Sequence, residues 1–199
     1  EQRFYTTWDQ AGLRLAWSGA DWSSDGDLFV YLDTAPGGIT VTLNPYTATL
    51  TSTVIYLPGN TPGLTGSTPM AADYAVWVQD AATAGLWEWD GSAWISTTVL
   101  TASAYLFNPG LNDGQADLYL PFALLGIADP AAASLDLVAL ASEEDALQLW
   151  AAMPAANPLN SPRVALGAES AALTTFALTQ RYHWDSLGPG LCPNGSMGA

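Results

Sequence analysis

Residues 11–33 read AGLRLAWSGADWSSDGDLFVYLD, and this stretch decides the fold. Leu13, Leu15 and Trp17 alternate with Arg14, Ala16 and Ser18. A repeat of two puts the apolar three on one face of a half-buried strand. A polar loop from Asp21 to Asp27 follows. Leu28-Phe-Val-Tyr-Leu32 is then apolar at every position, which predicts a central strand covered on both faces. Asp33-Thr-Ala-Pro-Gly-Gly38 breaks it.

Working outward, Arg3 to Trp8 reads as a strand and Asp9-Gln-Ala-Gly12 as a turn. Ile39 to Leu57 predicts two strands around Asn44-Pro45, and residues 58–70 read as loop. Tyr74 to Val78 is the next strand. Leu86-Trp-Glu-Trp89, Asp90-Gly91-Ser92 and Ala93-Trp-Ile95 predict a hairpin, because Asp-Gly suits a turn that needs positive φ. Leu118 to Phe122 is a strand whose Pro121 suggests a place near an edge. Residues 131–153 hold no Pro or Gly, so helix and strand compete there. The alternation of Leu135, Leu137 and Ala139, and of Leu147 and Leu149, favours two strands joined by Ser142-Glu-Glu-Asp145. Thr174 to Tyr182 supplies a closing strand.

Eighteen Gly and 13 Pro among 199 residues leave little room for helix. The expected fold is all-β: an antiparallel β-sandwich with immunoglobulin-like or jelly-roll-type layers. One domain spans 1–187, and a Gly/Pro-rich tail, 188–199, lies outside its core.

Apolar types make up 49% of the chain, enough for a substantial core. Nineteen Asp and Glu stand against four Arg and no Lys, a net charge of −15. That balance argues against nucleic acid or an anionic lipid surface as partner, and against phosphate chemistry. No apolar run is long enough to insert in a membrane, and no charged and apolar leader opens the chain. Cys192 is the sole cysteine, so no disulfide forms within the chain. The Lys-free, acidic, Trp- and Thr-rich composition is similar to that of exported bacterial proteins, and a secreted or cell-surface place is expected.

Trp8-Asp9, Leu13-Arg-Leu15-Ala-Trp17, the acidic loop, Asp27-Leu-Phe-Val-Tyr-Leu-Asp33 and Leu118-Tyr-Leu-Pro121-Phe-Ala-Leu-Leu125-Gly126 carry a resemblance. In this order they resemble family 9 carbohydrate-binding modules and the related DOMON-like sandwiches. The resemblance implies a sandwich fold, attachment to secreted enzymes or cell surfaces, structural calcium and, in some DOMON-like relatives, haem.

Catalysis has few carriers. The one histidine is His183, and no nucleophile elbow, phosphate loop or metalloprotease helix is present. The chain is therefore expected to be no enzyme. Asp21, Asp25 and Asp27 cluster around a Gly turn; they read either as a calcium loop or as a solvated loop between strands. Haem would need His183 with Met70 or Met153, and a lone His between aromatics more often packs than ligates, so haem is not expected.

Nine Trp are the most telling residues. Trp87 and Trp89 share a strand face, and the Asp90-Gly91 turn returns Trp94 toward them. With Glu88 or Asp90 beside them, these indoles would make a stacking platform for a sugar. The competing reading is a structural Trp cluster. The expected function is a non-catalytic carbohydrate-binding module. Its rival is a structural or adhesive subunit whose partners are copies of itself or neighbouring surface proteins.

Overall fold

The computed structural model describes residues 2–20, 26–41, 65–108, 114–143, 149–157 and 175–188. Strands β1 (Arg3–Trp8), β2 (Gly12–Ala20), β3 (Gly26–Asp33) and β4 (Ile39–Val41) open the chain. Then come β5 (Thr65–Ala72), β6 (Tyr74–Val78), β7 (Ala84–Trp89), β8 (Trp94–Val99), β9 (Tyr105–Asn108) and β10 (Gly114–Pro121). A 3-10 turn, Phe122–Leu125, precedes β11 (Leu135–Glu143), β12 (Leu149–Met153), β13 (Thr175–Ala177) and β14 (Tyr182–Trp184). That turn is the one helical element among the described residues, so the chain is all-β. No helix among them is long and apolar enough to cross a membrane.

A four-stranded sheet runs β1-β2-β10-β9. A seven-stranded sheet runs β12-β11-β3-β6-β7-β8, with β14 also paired to β11. A small sheet runs β13-β5-β4. Pairing is antiparallel throughout, except between β13 and β5.

The layers follow from alternation. Leu13, Leu15 and Trp17 of β2 and Ala116, Leu118 and Leu120 of β10 share one core with Leu28, Val30 and Leu32 of β3 and Leu135 and Leu137 of β11. The facing sides of the two larger sheets thus meet in one apolar layer, as in a sandwich. Phe29 and Tyr31 point the other way, into a second core with Trp77, Trp87, Val138 and Leu140. Met70 and Ala72 of β5, with Leu178, belong to it too. The central sheet is therefore buried on both faces, as the unbroken apolar run of β3 predicts.

Three expectations need correction. Thr65–Ala72 is a strand, although its Pro and Gly suggest a loop; packing against the central sheet overrides weak propensity. The closing segment splits into β13 and β14, which join different sheets. Pro121 ends a strand that lies between β2 and β9, not at an edge. Its missing N–H costs nothing, because β9 pairs only with Gln115 to Leu118. The turn from Ser142 to Asp145, the strands expected around Asn44-Pro45 and the tail lie largely or wholly outside the described residues.

Candidate ligand-binding surface

The outer face of the four-stranded sheet is built from the polar half of each alternation. Register sets its side chains in rows across the strands. Tyr5 pairs with Ala16, Ala16 with Asp117, and Asp117 with Leu106. One step along, Thr7 pairs with Arg14 and Arg14 with Tyr119. These residues, with Ala102, Ser103 and Ala104 just before β9, line an open groove of about 480 Å³.

Tyr5 and Leu106 are the raised flanks, 50% and 51% exposed. Ala16 between them keeps the floor low. The Arg14 guanidinium lies 4.5 Å from the centre of the Tyr119 ring, a cation–π contact. Its Nη2 also reaches the Asp9 carboxylate at 3.5 Å. Asp9 itself accepts the backbone N–H groups of Ala11 and Gly12 at 2.8 and 3.0 Å, which shapes the β1–β2 turn. Those bonds hold its carboxyl below the usual range, the Ala11 bond first. Gly12 lets the Tyr119 ring lie down: a Cβ there would meet ring carbon and the Leu120 carbonyl oxygen, each at 2.7 Å. Asp117 is exposed. Its carboxylate has no hydrogen bond or ion pair among the described residues.

The tryptophans expected to form a platform sit elsewhere. Trp87 is 1% exposed and lies against Trp77 in the second core, ring centres 5.5 Å apart. Its indole has no free face for a sugar. The reason is the layer formed by β5 and its neighbours, which covers the sheet face that Trp87 shares. Trp89 and Trp94 meet edge-to-face at 5.9 Å and are each half-buried, and Trp94 also contacts Tyr31 at 6.2 Å. Glu88 is exposed on the opposite face, across from Ile95. Asp90 turns inward on its own hairpin: Oδ1 accepts the N–H groups of Ser92 and Ala93, each at 2.8 Å. Those bonds, Ala93 first, lower its pKa, and Gly91 adopts φ 97° beside it. Asp90 thus shapes the turn. Trp8, Trp17 and Trp77 are buried like Trp87, and Trp184 is half-buried like Trp89 and Trp94.

Asp27 is 1% exposed and accepts a 2.8 Å hydrogen bond from Trp77 Nε1. Asp21 and Asp25 lie outside the described residues, and among those described no three metal-ligating side chains converge. His183 faces carboxylates with both ring nitrogens, Asp136 at 2.5 Å and Asp185 at 2.9 Å. Those bonds raise its pKa, the Asp185 bond first. Met70 and Met153 lie in separate cores.

Sequence reasoning passed over the groove, although the signal was present. Tyr5 and Thr7, Arg14 and Ala16, and Asp117 and Tyr119 are the outward half of period-two strands. What local pattern lacks is the pairing of β2 with a strand a hundred positions later. Comparison with family models, with curated proteins and with solved structures returns no match.

Proposed function

We propose that the chain is a non-catalytic, exported binding module that recognises carbohydrate in the groove of the β1-β2-β10-β9 sheet. One observation carries the reading. The outer face of this sheet is an open groove whose lining mixes tyrosine rings with fixed polar groups. A pyranose ring offers a C–H face to an aromatic ring and hydroxyls to carboxylate, guanidinium and backbone. Tyr5, Tyr119, Arg14, Asp117 and Thr7 supply that combination. The strongly acidic, Lys-free surface supports a place outside the cell. The test is a glycan array with the wild-type chain and the Tyr5→Ala and Tyr119→Ala variants. Retained glycans that both variants lose, at unchanged melting temperature, support the reading. A chain that binds no glycan contradicts it.

A second reading has its own support. Among the described strands β8, Trp94–Val99, ends its sheet; it carries no charge, Pro or Gly, and its Ile95 and Val99 are 45% and 59% exposed. Natural proteins usually guard such an edge with charge or Pro. In this reading the chain is a structural or adhesive subunit joined edge to edge. Concentration-dependent sedimentation that Ile95→Lys abolishes would favour it over sugar recognition.

A further inference from the structure

We propose that the groove selects a cationic glycan, a chain of amino sugars with free ammonium groups, and that Asp117 is the counter-ion. The inference rests on the carbohydrate reading and names the substrate class of that site.

Three observations converge on it. First, the two charged side chains lining the groove have different fates. Arg14 already has charge and ring partners in Asp9 and Tyr119, whereas Asp117 has no partner among the described residues. An exposed carboxylate on a groove floor presents two acceptor oxygens to whatever enters. Second, Asp117 and Tyr5 stand two strands apart in one row, separated only by Ala16. Strand spacing puts them about 9.5 Å apart at the backbone, roughly one sugar ring and its substituent. An ammonium held there meets the carboxylate on one side and the electron-rich face of a tyrosine on the other. Third, a net charge of −15 attracts cationic chains from a distance and repels uronic or sulfated ones. Groove and field therefore favour the same ligand.

The experiment is calorimetric titration of the full chain at mildly acidic pH, where the sugar amine is charged. The probes are a β-1,4-linked glucosamine tetramer, its N-acetylated counterpart, the neutral glucose tetramer and tetralysine. The expected result is tightest binding of the amine tetramer, by about tenfold over the acetylated one. Asp117→Asn, nearly identical in shape and exposed, should erase that preference, bringing the amine tetramer down to the affinity of its acetylated counterpart. Equal or tighter binding of a neutral tetramer overturns the amine assignment and leaves the carbohydrate reading standing. Tetralysine bound as tightly as the amine tetramer, or a preference that survives Asp117→Asn, marks attraction by the whole charge and overturns it too. No binding of any tetramer overturns both.

Discussion

Asp33 and Asp136 stand directly opposite each other on β3 and β11, and His183 stands opposite Asp136 on β14. Like charges in such a pair repel. Arg181 answers part of the charge, its Nε 2.8 Å from Asp136. Burial first, then the charges of Asp73 and Asp136, push the Asp33 carboxyl up to about 6, against the N–H of Ala71 and the charge of Arg181.

Stability should therefore peak in mild acid. A carboxyl with a raised pKa binds its proton more tightly when folded, so stability falls as pH climbs through that window. His183, also raised, contributes its stability below its unfolded pKa and loses it as pH rises through the folded value. Both act in the same direction. The melting temperature should fall from about pH 4 to about pH 6, where Asp33 gives up its proton, and Asp33→Asn should flatten that fall. A melting temperature that rises over this range would show that the row does not govern the acid–base balance.

Trp87 and Trp89 should behave as different residues despite sharing a strand face. Trp87→Ala empties a fully buried site and should cost about 3–5 kcal/mol. Trp89→Ala, at a half-buried hairpin tip, should cost about 1 kcal/mol. Denaturant unfolding of the two variants checks the order.

The indole of Trp77 donates to Asp27 inside the second core. Trp77→Phe keeps a ring but removes that donor, and should cost about 1–3 kcal/mol. Asp27→Asn in the same background should recover part of it, because a neutral amide is less costly to bury there. A double-mutant cycle reads the coupling.

Gly12 is needed for close approach. Gly12→Ala should destabilise by about 1–3 kcal/mol through overpacking. It should also displace the Tyr119 ring and weaken glycan binding beyond the loss in stability. Melting and titration of the same variant separate the two effects.

Alternation made much of the fold legible: β2, β3, the β7–β8 hairpin and the paired β11 and β12 all follow from it. The same alternation places Trp87 beside Trp89 but is silent on what covers their shared face. That cover includes Met70 and Ala72 of β5, a segment whose Pro and Gly disguise it as loop. Exposure of the indoles was thus not readable, whereas their common face was. The groove was hidden for a related reason. Tyr5, Asp117 and Tyr119 become neighbours only through pairing between distant strands.

The most direct measurement is a nuclear magnetic resonance titration of the isotope-labelled chain with the glucosamine tetramer. The account predicts amide shifts concentrated at Tyr5, Arg14, Ala16, Asp117 and Tyr119, on the outer face of the four-stranded sheet. Shifts confined to Trp89 and Trp94 at the hairpin, or no shifts at all, would contradict it.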